Sequence, residues 1–343
     1  MIDEVSLLRE MLEIYSPFGH ERALATYLCK RMAEAGMQAH VDEVGNAVGE
    51  IGEGDREIIL MGHIDTVEGV VPVRLEGDFL SGRGAVDAKG PMATFVVAAT
   101  RARPRNLRVT VIGAVEEEGA SSRGARHVLG RPRPDFAVIG EPSGWTGITL
   151  GYKGRFWINY SREQATAHSA GPGRSVAEEA IDFWNALKAD TAVRNRGRKA
   201  FDSVDLWLRR LNTSGDGLAE RVEMTVSVRV PLDLDVAAFK ERVREFAGDA
   251  SCTFANEDPP YRAGKSTPLV RAFLGAIRET GGEPRFKLKT GTADMNVVGP
   301  VWNCPIVAYG PGDSTLDHTP NEHISLAEYR RGIAVLVRVL ESL

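Results

Sequence analysis

Hydrophobic and polar positions along the chain follow two different periods. Over residues 3–15 and 20–35, apolar residues recur at the spacing of a helix that buries one face. The apolar run 58–61 has instead the length and branching of a buried strand, and residues 107–115 and 136–139 repeat that pattern. The first part of the chain is therefore predicted to form an α/β domain.

The pattern changes after residue 153. A strand-like stretch at 156–160 precedes a helical pattern over 176–189, and an alternating strand at 223–230 precedes a helical pattern over 233–246. This order predicts a compact α+β domain inserted into the first domain, as expected for a chain of 343 residues. The predicted boundaries are 1–153 for the first part of the α/β domain, 154–260 for the inserted domain and 261–343 for the second part.

Composition narrows the class of protein. A hydrophobic content of 43% and a charged content of 26% are typical of a soluble globular protein, and the net charge of −5 argues against a nucleic-acid partner. Cys29, Cys252 and Cys304 are far apart in sequence, which predicts neither a disulfide framework nor a thiolate zinc site. The start of the chain lacks a signal-peptide pattern, and no apolar run has membrane-spanning length. A cytoplasmic location without a membrane partner is therefore expected.

Acidic or imidazole groups follow each predicted strand of the α/β domain. Carboxylates crowded at the ends of neighbouring strands repel one another unless a cation lies among them. Collected along the chain, the polar groups are His63, Asp87, Glu117 or Glu118, Glu141 and His318. Two histidines and three carboxylates form a ligand set for two divalent cations of the zinc type, which favours hydrolysis of an amide.

Five motifs carry these residues. They are His63-x-Asp65, Gly82-Arg83-Gly84-x-x-Asp87-x-Lys89-Gly90, Glu117-Glu118-Gly119, Gly140-Glu141-Pro142-Ser143 and His318-x-x-Asn321-Glu322. In this order they resemble the metal-site motifs of a metallopeptidase family that includes carboxypeptidase G, acetylornithine deacetylase, succinyl-diaminopimelate desuccinylase and aminoacylase. The resemblance implies a mixed-sheet α/β/α catalytic domain.

The resemblance also implies a role for each residue. His63, Asp87, Glu118, Glu141 and His318 would bind two ions, Zn2+ or Co2+, with Asp87 as the bridge. Asp65 would orient His63, and Glu117 would be the general base. Because the acidic segment contains three glutamates, a second assignment stays open, in which Glu116 and Glu117 are base and ligand.

The inserted domain would be the dimerisation lid of the family. His168 would reach the site of a neighbouring subunit and polarise the scissile carbonyl. The resemblance therefore implies a homodimer.

Two segments are similar to the lysine-biosynthesis branch of the family, residues 151–154 and residues 289–296. The second segment contains the candidate substrate-binding residues Thr292, Asp294 and Asn296. Enzymes of that branch act in lysine or arginine biosynthesis, where they release lysine or ornithine from a small acidic amino-group carrier protein or from an N-acetylated precursor. The basic residues between 194 and 210 are consistent with an acidic partner.

Other functions remain open at this point. Within the family, they are a general aminoacylase, an acetylornithine deacetylase, a desuccinylase or a dipeptidase. A metal-binding protein without catalytic activity is an alternative of a different class. A serine hydrolase is disfavoured because Ser143 lacks the Gly-x-Ser-x-Gly turn.

Overall fold

The computed structural model of the protein describes residues 2–119, 121–168 and 170–343. The chain divides into two units. The catalytic unit, as we name it, contains residues up to Gly151, Arg262–Leu288 and Ala293–Leu343. The inserted unit contains Tyr152–Tyr261 and Lys289–Thr292.

Helices are found in both units. In chain order they are α1 Glu4–Glu13, α2 Arg22–Glu34, α3 Lys89–Arg101, α4 Arg123–Val128, α5 Val176–Arg194, α6 Val236–Ala247, α7 Pro268–Glu279, α8 Asp294–Trp302 and α9 Leu326–Ser342. A short 3-10 turn spans Ala200–Asp202. Within the described part of the chain, no helix combines the length and the apolar content that crossing a bilayer requires.

The strands belong to three sheets and are named here in chain order. They are β1 Gln38–Val41, β2 Ala47–Ile51, β3 Arg56–His63, β4 Arg74–Glu76, β5 Phe79–Ser81, β6 Leu107–Ala114, β7 Phe136–Gly140, β8 Gly147–Tyr152, β9 Gly154–Ala165, β10 Asp205–Gly215, β11 Ala219–Val230, β12 Ser251–Asp258, β13 Tyr261–Arg262, β14 Arg285–Lys289, β15 Ile306–Tyr309 and β16 His323–Ser325.

The large sheet of the catalytic unit is mixed. Its order is β1-β2-β6-β3-β7-β15-β8-β13, with β14 also paired to β8. The four central strands β6, β3, β7 and β15 run parallel, whereas β2 pairs antiparallel with β6 and β8 pairs antiparallel with β15. The predicted mixed-sheet α/β class is confirmed. Because central parallel strands are covered on both faces, they are near-continuous apolar runs in the sequence.

Helices α1, α3, α7 and α9 pack against one another beside this sheet. Helix α3 is buried from Lys89 to Ala99, which explains why its sequence lacks a polar face. Helix α9 begins at the cap Ser325, whose hydroxyl accepts a hydrogen bond from the Glu328 amide.

The inserted unit is built on a four-stranded antiparallel sheet in the order β10-β11-β9-β12. Helix α5 packs on it and begins with a capping box formed by Ser175 and Glu178. Residues 205–210, which lack a buried apolar pattern, belong to the edge strand β10. An edge strand whose side chains are mostly exposed gives little hydrophobic alternation, so the pattern predicts it poorly.

Candidate metal centre

The parallel register brings the predicted strand-exit groups to one edge of the large sheet. Gly62 of β3 lies beside Gly113 of β6 on one side and Gly140 of β7 on the other. His63 is the last residue of β3, and Glu141 directly follows β7. These three strands therefore end together, as open parallel sheets do where they carry their sites.

Asp87 lies between the two histidines of the ligand set. Its Oδ1 is 3.2 Å from Nε2 of His63, and its Oδ2 is 3.0 Å from Nε2 of His318. The side chain of His63 is buried, and that of His318 is half exposed. A carboxylate that presents one oxygen to each imidazole has the arrangement expected of a ligand shared by two cations.

Glu118 joins the same cluster, whereas Glu116 does not. Oε1 of Glu118 is 3.1 Å from Nε2 of His318, and donor atoms of His63, Asp87 and Glu118 all lie within 4.8 Å of one another. Glu116 instead forms an ion pair with Arg123 at 3.0 Å. Glu118 is therefore placed to serve as a ligand, and Glu116, the base of the second assignment, is paired with Arg123.

Asp65 contacts His63 and also residues 116–118, which we name the acidic loop. Nδ1 of His63 donates to the backbone carbonyl oxygen of Asp65 at 3.0 Å, while the Asp65 carboxylate is 3.6 Å away. That carboxylate accepts hydrogen bonds from the backbone amides of Glu117 at 3.1 Å and Glu118 at 2.9 Å. The donated Nδ1 proton leaves Nε2, on the Asp87 side, as the ring nitrogen available to a metal.

Glu117 lies in an environment that favours its neutral form. Burial raises the pKa of its carboxyl well above the usual range, and the negative charges of Glu141, Asp294 and Glu118 act in the same direction. Nearby His63 opposes this shift. A carboxyl group tuned in this way is suited to accept and return a proton.

The surroundings of the two histidines and Asp87 favour their charged forms, whereas those of Glu117 favour its neutral form. Burial lowers the pKa of His63, but its contacts with Asp65 and Asp87 outweigh burial and raise the pKa well above its usual value. Hydrogen bonds to Asp87 and Glu118 raise the pKa of His318 to about 11. Burial alone would raise the pKa of Asp87, yet the two histidines hold it far below its usual value. In the absence of metal, protons therefore occupy the positions where cations would bind.

Two buried groups near the centre were not predicted from the sequence to have a role. Nζ of Lys89 donates to the backbone carbonyls of Met11 and Ile14, at the end of α1, and burial lowers its pKa to about 8. Glu21 accepts from the amide of Glu116, and so supports the acidic loop. Lys89 falls in a motif quoted above, but its target lies 75 to 78 residues away, and spacing carries no signal of such contacts.

Two of the candidate substrate-binding residues belong to the catalytic unit and one belongs to the inserted unit. Asp294 and Asn296 are buried in the catalytic unit, where the Asn296 side chain accepts from the Ala293 amide and caps α8. Thr292 belongs to the inserted unit, where its hydroxyl accepts from Arg229 at 3.0 Å.

His168 lies in an exposed loop of the inserted unit. Its Nδ1 accepts from the Ala170 amide at 3.1 Å, so a neutral ring carries its proton on Nε2. That nitrogen is the one able to donate a hydrogen bond.

The chain is similar to known proteins over nearly its whole length. A [LysW]-lysine hydrolase of Deinococcus radiodurans is 46% identical to the chain, over 98% of this chain and 96% of the relative. A putative [LysW]-lysine/[LysW]-ornithine hydrolase of Thermococcus kodakarensis is 41% identical, over 99% of this chain and 92% of the relative.

A solved structure shares the fold. The M20 family metallo-carboxypeptidase Sso-CP2 of Sulfolobus solfataricus superposes with a TM-score of 0.81 at 18% identity, covering 99% of each chain. Residues 59–342 match the sequence family described as Peptidase family M20/M25/M40. The chain therefore belongs to the M20/M25/M40 family of metal-dependent hydrolases.

Proposed function

We propose that the protein is a two-metal amide hydrolase that releases lysine, and also ornithine, from a carrier-protein-bound precursor in lysine or arginine biosynthesis. The single observation that carries the hydrolase assignment is Asp87, whose two oxygens face the Nε2 atoms of His63 and His318. The carrier-linked substrate is supported by the names of the two relatives, which act on [LysW]-linked lysine or ornithine.

The donor set fits divalent cations of the zinc type. His63 and Asp87 Oδ1 face each other on one side, and His318, Glu118 and Asp87 Oδ2 lie together on the other. Glu141, directly after β7, is the further carboxylate assigned to the set. Imidazole nitrogen and carboxylate oxygen suit Zn2+ or Co2+. When bound, the cations lower the pKa of a water molecule and polarise the scissile carbonyl.

Glu117 is proposed to move the proton. In its ionised form, Glu117 takes a proton from the attacking water, whose oxygen bonds to the amide carbon. The C–N bond then breaks, and Glu117 returns the proton to the leaving amine nitrogen. The hydrogen bonds from the amides of Glu117 and Glu118 to Asp65 fix the backbone of this loop. The products are the free amine and a carboxylic acid, which together contain all the atoms of the amide and the water.

His168 is proposed to stabilise the tetrahedral oxyanion of a neighbouring subunit through Nε2–H. The exposed side chain and the Nδ1 contact with Ala170 support a donor role. The homodimer that this role requires is supported by the edge strand β10, on which Trp207 is 73% exposed. Mixing inactive His168→Ala and Glu117→Gln subunits tests both points, because a mixed dimer would contain one intact site and recover activity. No recovery in a demonstrated mixed dimer would contradict the trans role.

Docking of an acidic carrier is proposed to involve the basic stretch 194–210. Most of its charges already have partners, since Arg194 and Arg198 pair with Asp233, Arg210 pairs with Glu223, and Arg209 stacks on Trp157. The proposed contact therefore rests on Arg196 and Lys199, which are exposed.

The substrate is tested by comparing amine release from [LysW]-lysine, [LysW]-ornithine, N-acetyl-lysine, N-acetyl-ornithine and a dipeptide, each with and without a chelator. We expect carrier-bound lysine to be cleaved with the highest kcat/KM and the chelator to abolish cleavage. Equal weak activity on all five would contradict the carrier assignment. No activity on any of them would favour a metal-binding protein without catalytic activity.

A cytoplasmic location is proposed as well. Cys29, Cys252 and Cys304 are all free thiols, as is usual in a reducing compartment. Burial raises the pKa of Cys304 to about 11, which keeps this thiol protonated and unreactive.

A further inference from the structure

A buried ion pair connects the segments that carry two of the candidate metal ligands, Asp87 and His318. Nη1 of Arg83 is 2.9 Å from Oε2 of Glu322, and their side chains are only 10% and 1% exposed. The two residues are 239 positions apart in the chain, so the contact joins segments that no local structure connects. Each partner also makes backbone hydrogen bonds, and these contacts indicate what the pair does.

Glu322 holds the loop that carries Asp87. Its second oxygen, Oε1, accepts from the backbone amides of Val86 at 3.1 Å and Asp87 at 3.2 Å. Its backbone carbonyl accepts from the Gly82 amide at 3.2 Å. The loop is therefore fixed at both ends by one residue, and hydrogen bonds to a charged carboxylate are strong. Fixing the Asp87 amide limits where the Asp87 carboxylate lies.

Arg83 holds the loop that carries His318. Nη1 of Arg83 donates to the Thr319 carbonyl at 3.1 Å, and Nε donates to the Gly69 carbonyl at 3.2 Å. His318 has φ of 62°, a left-handed conformation that non-glycine residues rarely adopt. Such a conformation persists where the surrounding contacts determine it. The Thr319 contact is one of those contacts, directly after His318.

We propose that Arg83 and Glu322 are positioning residues, which keep Asp87 and His318 in the mutual geometry that lets one carboxylate serve two cations. The inference rests on the proposed two-metal function and adds to it a structural role for this ion pair. The side chains touch neither substrate nor metal in this scheme. They act through the backbone of the two ligand loops. Their contribution is therefore to metal affinity and to kcat, and not to substrate binding.

The test is a titration of the full-length, metal-free protein with Co2+, followed by calorimetry and by the visible absorption of bound cobalt. Glu322→Gln preserves the size of the side chain and an acceptor for the Val86 and Asp87 amides, but it presents an amide in place of a carboxylate to Arg83. We expect cobalt affinity to fall by about 10- to 100-fold, as is typical when a group that supports a metal ligand is altered. At saturating metal, kcat should fall while KM stays close to that of the wild type.

A matched control comes from the inserted unit. Nε of Arg155 is 2.8 Å from Oδ2 of Asp258, and both side chains are largely buried. Asp258→Asn weakens an ion pair of similar length and burial that belongs to the inserted unit. We expect it to lower the unfolding temperature and to leave cobalt affinity unchanged.

The possible outcomes separate the two proposals. If the wild type binds two cobalt ions and Glu322→Gln binds them equally tightly, the positioning role is overturned and the metal site stands. If the wild type binds no cobalt, both fail.

A second variant covers the case in which Glu322→Gln does not fold. Arg83→Lys retains the charge but lacks the planar group that reaches Glu322, Thr319 and Gly69 together. We expect a folded protein with weakened cobalt binding and an altered absorption spectrum. An unchanged spectrum and affinity in this variant would also overturn the inference.

Discussion

Two charged regions of the molecule differ in how their charges are balanced. At the edge of the large sheet, Asp87, Glu117 and Glu118 lie close together, and the cationic groups among them are the two histidines. In the basic stretch 194–210 of the inserted unit, the chain itself supplies partners for most of the charges.

The difference shows how a charged cluster indicates a ligand. Like charges that are buried together shift their pKa values, as burial and carboxylate neighbours raise the pKa of Glu117. A folded chain keeps such a cluster where an external ion or substrate completes it. Arg194 and Arg198 instead form ion pairs with Asp233 of the same chain. A count of charges in the sequence does not distinguish these two situations.

The largest effect is expected at Glu117. Glu117→Gln removes the proton acceptor while preserving shape, so kcat should fall by about 10²- to 10⁴-fold. Steady-state kinetics together with metal analysis measures the loss of rate and tests whether both ions are retained.

Glu116→Gln is the matched control for this change. Its side chain pairs with Arg123 and not with the metal cluster, so activity should change far less. The reverse ranking of the two variants would assign the base to Glu116.

A smaller effect concerns pH and metal affinity. The pKa of His318 is raised to about 11, and that of His63 is also raised, so both rings are protonated at neutral pH without metal. Metal binding must displace these protons, and the apparent affinity should rise with pH by about tenfold per unit for each proton released. Calorimetry in buffers of different ionisation enthalpy counts the protons. An affinity that is constant across the neutral range would contradict this expectation.

A several-fold change is expected from charge reversal in the basic stretch. Arg196→Glu combined with Lys199→Glu should raise KM for the carrier-bound substrate and leave N-acetyl-lysine hydrolysis unaffected, because the proposed contact is with the carrier and not with the small substrate. The effect should weaken as salt is added. If both substrates respond alike, the stretch does not bind the carrier.

The smallest effect is expected when an arginine that already has a partner in the chain is replaced. Arg198→Ala removes an exposed ion pair with Asp233 and should lower the free energy of unfolding by at most about 1 kcal/mol. Activity on either substrate should stay the same. Denaturant unfolding measures the first quantity. A large loss of carrier affinity here would show that the paired arginines are part of the docking surface after all.

Much of the centre could be predicted because it follows from parallel strands. His63 and Glu141 lie at strand ends that a buried apolar run identifies, and parallel strands that pair in register end together. The contacts of Asp65 could not be predicted in the same way. Strand alternation suggested that its carboxylate lies on the side of His63, and the two are 3.6 Å apart, but the hydrogen bonds that the carboxylate accepts from the amides of Glu117 and Glu118 have no signal in the sequence.

The ion pair of Arg83 and Glu322 could not be predicted from the sequence, for a different reason. Both residues stand in motifs that resemble those of the family, yet no periodicity links positions 239 apart. Long-range contacts of this kind depend on tertiary packing, which overrides local propensity. The edge strand β10 was missed because exposed strands lack a hydrophobic signature.

Gly119 directly follows Glu117 and Glu118, and the Phe18 ring fills the space that a Cβ atom at position 119 would occupy. Any side chain introduced at this position would push the aromatic ring outward into solvent. Positions 18 and 119 are therefore expected to vary together during evolution, so that a relative with a larger residue at one carries a smaller residue at the other. Attempts to redesign this loop should mutate both positions at once.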